Sequence, residues 1–111
     1  MSLPVRRSDE AQLDVEFQAE YYGQRDGLQL ALDFTHAVER SCAALGATPF
    51  LGPLYKLKHA RLGRLRKWRV EEPFDKHLIF YWVDQDAIAV VRIIHGMRDL
   101  PRRLLEAPGA D

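Results

Sequence analysis

The chain has 111 residues, 47% hydrophobic and 29% charged, with sixteen basic and sixteen acidic side chains in balance. That length supports one core without staples and leaves no room for a second, which argues against a multi-step enzyme with its own cofactor fold. A single cysteine excludes a disulfide framework, and neither a membrane-length apolar run nor a signal-peptide core is present. The expected setting is therefore a reducing cytoplasm, with no membrane contact.

The charge balance conceals an asymmetry. Residues 1–50 carry four bases and eight acids, a net of −4, whereas residues 51–111 carry twelve bases and eight acids, a net of +4. Seven of those bases, from Lys56 to Arg69, follow one another with no acid between them. An acidic helical half and a basic half open to a polyanion or an acidic partner segment are expected.

In chain order, Leu3 to Arg6 is a short candidate edge strand. Ser8 is placed to cap a first helix, with Asp9 and Glu10 in its first turn where the helix dipole favours acid. Leu13, Phe17 and Tyr21 at four-residue spacing predict its inward stripe. Gly23 to Gly27 predicts a break, and Asp26 a cap for a longer helix that buries Leu28, Ala31, Leu32, Thr35, Val38, Cys42 and Leu45. A link this short folds the two helices back as an antiparallel hairpin. Two glycines and two prolines in Gly46 to Pro53 end it.

Leu54 to Leu65 fits neither helical nor strand periodicity and predicts an irregular or weakly helical connection. Lys67-Trp-Arg-Val70 alternates basic and apolar residues, as a half-buried strand does. Glu71 to Asp75 is a turn. His77-Leu-Ile-Phe-Tyr-Trp-Val83 is apolar on both faces and predicts the central strand. Asp84-Gln-Asp86 turns it into Ala87 to Ile94, in which Ile88, Val90, Arg92 and Ile94 alternate against Ala89, Val91, Ile93 and His95. Arg92 in the middle of an apolar face is costly unless it reaches water or an anion. Asp99 is placed to cap a last helix over Leu100 to Leu105 with Pro101 in its first turn, and residues 107–111 read as a frayed tail.

His95, Arg98 and Asp99 at the Gly96 turn form the best polar constellation. They can offer an imidazole and a guanidinium to a phosphate, or simply satisfy the turn and cap the helix that follows. The four histidines are scattered and the one cysteine sits on a helix stripe, so no metal and no cofactor is expected. Lys67 and Arg69, with Tyr55 and Trp68 as stacking platforms, can grip nucleic acid. Trp82, on a sheet face without a helix, is a candidate partner contact.

The residues that say most are the Leu-Ile-Phe-Tyr strand and Arg92-Ile-Ile-His-Gly-Met-Arg-Asp99 after it. Together they resemble the carboxyl-terminal signature of the ParE/RelE superfamily of bacterial type II toxins, and the likeness extends from about Leu3 to Leu105. It implies an α+β fold, an N-terminal α-helical hairpin packed on a small twisted antiparallel β-sheet, as one toxin domain over residues 1–106. The His-Gly-x-Arg-Asp ending is more typical of the ParE branch, which implies growth arrest by binding DNA gyrase without chemistry of its own. The RelE branch implies instead a ribosome-dependent mRNA endonuclease in which Lys67, Arg69 and Arg98 take the basic active-site roles. Leu78 stands where that branch carries an arginine, and no tyrosine follows Tyr81. Some members of this fold are non-toxic paralogues that only bind antitoxin. Every branch implies a cognate antitoxin as partner, and the expected contact residues are Lys67, Arg69, Trp82, Arg92, His95 and Arg98.

Overall fold

The computed structural model describes residues 2–55, 64–96 and 100–109. Its elements follow the order β1 (Val5–Arg7), α1 (Asp9–Asp26), α2 (Leu28–Ala47), β2 (Arg66–Arg69), β3 (His77–Val83), β4 (Ile88–His95) and α3 (Leu100–Leu105). The strands form one sheet in the order β1-β4-β3-β2. The hairpin β3–β4 and the pair β2–β3 are antiparallel, while β1 lies parallel to β4 at the edge. The sheet is thus mixed rather than wholly antiparallel, because the chain returns through the helix hairpin before β4 reaches β1. The segment expected to be irregular is partly strand-like: Leu54 bridges Arg66, and the Tyr55 amide donates to the Leu65 carbonyl at 2.7 Å.

Ser8 caps α1 as expected, its hydroxyl accepting from the Ala11 amide at 3.0 Å. The break between the helices is shorter than expected. Helix α1 continues to Asp26, and Gly27 alone makes the turn at φ 100°, a backbone state that a side chain would strain. Asp26 therefore does not cap α2; Gly27 occupies that position without a side-chain bond.

The helix faces differ from the periodicity reading. Leu13, Phe17 and Tyr21 are 41%, 48% and 50% exposed, and the buried stripe of α1 is Ala11 and Val15, continued by Ala19 and Tyr22. On α2, Leu28 and Leu32 point outward, and Phe34, not foreseen, is fully buried. Small residues line the seam between the helices, where a Cβ on Gly23 would be in ordinary van der Waals contact, 3.6 Å, with that of Ala31. Two cores result. The hairpin covers Ile79, Tyr81, Ile88, Val90 and Ile93 on one sheet face, while Leu65, Leu78, Phe80, Ile94 and Leu104 cluster on the other.

Strict alternation along β4 fails at one residue. Phe80 pairs with Arg92 and Tyr81 with Val90, so Val91 is an extra, bulged residue. Beyond it the faces exchange. Ile93 joins the helix-side core, whereas Val91 and Ile94 join the opposite one.

Candidate functional site

The bulge explains Arg92. It turns the side chain along the sheet to Asp14 of α1, where Nε and Nη2 donate to the two carboxylate oxygens at 2.8 and 2.9 Å. The same carboxylate accepts from the Ile93 amide at 3.0 Å, and Ser8 Oγ donates to the Val91 carbonyl at 2.8 Å, so the backbone freed by the bulge is satisfied from α1. Arg92 Nη1 donates to the carbonyls of Arg103 and Leu104, both at 3.2 Å, and to that of Glu106. One guanidinium thus holds α1, β4 and the end of α3, its positive charge set against the C-terminal carbonyls of that helix. Arg92 is 8% exposed. Its donors are engaged inside the protein, although it also lines two depressions beside α1. Asp14 was missed, although a lone strand arginine demands a counter-ion and α1 is rich in acids.

His95 is exposed at the end of β4, opposite His77, with ring centroids 4.7 Å apart. Arg103 Nη1 donates to the His95 carbonyl at 2.6 Å. Partial desolvation, then the charges of Arg103 and Lys76, lower the His95 pKa below the ordinary imidazole value, so the ring is a poor cation for a phosphate. His77, 2% exposed, lies among Tyr22, Phe34 and Phe74 and shares a 2.8 Å hydrogen bond with the Tyr22 hydroxyl. Burial, and secondarily His95, lower its pKa to about 4. Arg98 and Asp99 lie outside the described residues.

Lys67 and Arg69 occupy β2 at the opposite edge from β1. Sheet register puts Lys67 in one row with Phe80 and Arg92, and Arg69 in the next with Leu78 and Ile94. Lys67 Nζ lies over the Tyr55 ring and the Arg69 guanidinium over Trp68. Leu78, at the position where the RelE branch carries arginine, is buried in the second core. The sheet therefore does not gather Lys67, Arg69, Arg92 and His95 into one cleft. Lys56, Lys58 and Arg61 of the basic run also lie outside the described residues. Cys42 is buried, and its desolvated thiol is pushed up to about 11. Among the described residues no cluster of three or more His, Cys, Asp or Glu side chains could hold a metal ion, and no helix is long and apolar enough to cross a membrane.

Trp82 is half-buried and packs on the second core beside Val91. It lines a groove of about 610 Å³ with Glu10, Leu13, Val91, Leu104, Leu105 and Pro108. A second depression, of about 210 Å³, lies where Phe17 and Tyr21 meet His95, Arg103 and Ala107. Gly109 lies beside the Phe17 ring, so residues 107–109 run close to α1, while Ala110 and Asp111 lie outside the described residues. The outward stripe of α1, Trp82 and Leu105 together make an apolar surface divided by the tail. Such a surface, open to water, is suited to a protein partner and not to a small substrate.

The family model for "ParE toxin of type II toxin-antitoxin system, parDE" matches residues 5–100. Among solved structures, one described as "Chromosomal ParDE TA system from P. aeruginosa" superposes with a TM-score of 0.71 at 15% identity, covering 86% of this chain and 98% of that one. No curated protein sequence matches the chain.

Proposed function

The chain belongs to the ParE toxin family of type II toxin–antitoxin systems, and from that membership we propose that it arrests growth by binding DNA gyrase in the cytoplasm. A cognate antitoxin restrains it until release. The observation that carries this reading is the outward apolar stripe Leu13, Phe17 and Tyr21 beside the groove of Trp82 and Leu105. A free protein with such a surface is adapted to protein partners, and an amphipathic antitoxin segment laid along α1 would cover it. A ribosome-dependent nuclease needs cations aimed at the developing phosphate charge. The two sheet positions best placed to supply them are taken, by Leu78 in a core and by Arg92 in an internal ion pair.

The test is induction of the gene alone and together with its neighbour. Arrest with filamentation, rescued by the neighbour and accompanied by inhibited supercoiling or trapped cleavage with purified gyrase, is the expected result. Arrest with gyrase untouched and translation halted would transfer the assignment to the ribosome. Absence of arrest would leave an antitoxin-binding paralogue.

A further inference from the structure

The outward stripe of α1 is rimmed by acid. Leu13, Phe17 and Tyr21 follow one another at four-residue spacing and form a single ridge. Glu10 and Glu16 each stand three residues from Leu13, and Glu20 three from Phe17, the spacing at which side chains on a helix are neighbours. All three carboxylates are exposed, and among the described residues none of them takes part in an ion pair. Glu10 lies in the first turn, where the helix N-terminus favours it. Glu16 and Glu20 have no such support: they are a like-charged pair four residues apart, which disfavours the free helix. The neighbour of Glu20 is the neutral amide of Gln24, at 3.2 Å. Arg25 and Arg103, which border the stripe, donate instead to the Tyr21 hydroxyl and the His95 carbonyl. A cation laid between Glu16 and Glu20 from outside would remove their repulsion while apolar groups beside it covered the ridge.

We propose that the antitoxin segment covering α1 is a basic amphipathic helix, with its apolar side on Leu13, Phe17 and Tyr21 and its lysines or arginines over Glu16 and Glu20. The inference rests on the reading of this surface as the antitoxin's, and adds the charge and conformation of the segment. A helix fits the ridge better than a strand does. Packed helices interlock ridges of four-residue spacing, and a helix arrives with its own backbone hydrogen bonds made. An extended segment would find no backbone partners, because the groups in the middle of α1 are paired within the helix. An acidic segment would suit the basic half of the chain, but here it would meet the unpaired carboxylates, and like charges across an interface select against it.

The experiment titrates the full chain calorimetrically with the antitoxin encoded beside it and with two synthetic helical peptides. The peptides share one leucine ridge and differ only in its flanks, lysine in one and glutamate in the other. The lysine peptide is expected to bind and to be displaced by the antitoxin, and the glutamate peptide to stay free. E16Q/E20Q, which alters two exposed side chains and should leave the circular dichroism unchanged, weakens the antitoxin and the lysine peptide roughly 2- to 30-fold, as the loss of two exposed ion pairs would. It also lessens the weakening produced by added salt. D84N/D86N removes two charges from the β3–β4 turn and leaves binding as it was. Equal binding of the two peptides, antitoxin binding unchanged or tightened by E16Q/E20Q, or an equal loss in D84N/D86N would overturn the proposal. So would salt-sensitive self-association of the chain alone that E16Q/E20Q abolishes, which would put the basic run of a second copy on α1. An antitoxin that fails to bind while the lysine peptide binds would overturn the antitoxin reading and sustain the preference of this surface for a basic helix.

Discussion

Removing either member of the Arg92–Asp14 pair should unfasten the C-terminal third of the molecule from α1. The two side chains are only 10% and 7% exposed, so breaking the pair strands a charge largely shielded from water. Such losses run at about 3–5 kcal/mol. Asp14→Ala belongs at the lower end, about 3 kcal/mol, because Arg92 keeps the carbonyls of Arg103, Leu104 and Glu106. Arg92→Ala belongs at the upper end, about 5 kcal/mol, since it strands the carboxylate and leaves those carbonyls without their donor. Against a total stability of about 5–15 kcal/mol, either variant is severe, and 3 kcal/mol corresponds to a fall in Tm of roughly 10–20 °C. The double variant leaves no unpaired charge and should cost less than the sum of the two, by about 2–3 kcal/mol. Urea unfolding followed by circular dichroism reads all three, and amide exchange in α3 should accelerate in each. Losses below about 1 kcal/mol, or strictly additive ones, would refute the account of Arg92 as an internal clamp.

The His77 imidazole gives a pH signature. Its native pKa of about 4 lies below the unfolded value of about 6.5, so the unfolded chain gains a proton the native one refuses. Stability should be full above about pH 6.5 and decline towards pH 4 by roughly 3 kcal/mol, a decline that His77→Gln flattens in urea midpoints measured across that range; parallel profiles would contradict it. Gly52 presses on β2: a Cβ there would stand 2.5 Å from the Lys67 carbonyl oxygen and 2.9 Å from the Tyr81 hydroxyl. Gly52→Ala should cost about 3 kcal/mol and rank above Tyr81→Phe, which at about 1–2 kcal/mol loses only the acceptor for the Gly52 amide and the donor to Pro49, and thermal melts of the pair decide the order. Phe17→Glu should alter stability by less than about 1 kcal/mol yet reduce co-purification with the antitoxin, and a full-strength complex would place the partner elsewhere.

Element types were legible because hydrophobic period and turn chemistry agree over long stretches. Strand β3 begins at His77 and ends at Val83 as its apolar run does, and Ser8 caps the first helix. Faces were harder to read. A four-residue repeat of Leu13, Phe17 and Tyr21 has the same period whether it turns towards a core or a partner, and it is the three-dimensional packing that puts Ala11 and Val15 inside instead. The bulge at Val91 carries no glycine or proline to announce it, and one inserted residue exchanges every face beyond it. Pattern alone put Arg92 on an apolar face in need of water or an anion, and the bulge delivers it to the carboxylate of Asp14. The start of the family signature is in this chain a fastening between β4, α1 and α3. Its removal should loosen the groove of Trp82 and Leu105 as well as the fold. Loss of toxicity in an Arg92 variant would then report a displaced binding surface, and Asp14→Ala, which leaves Arg92 in place, should reproduce it.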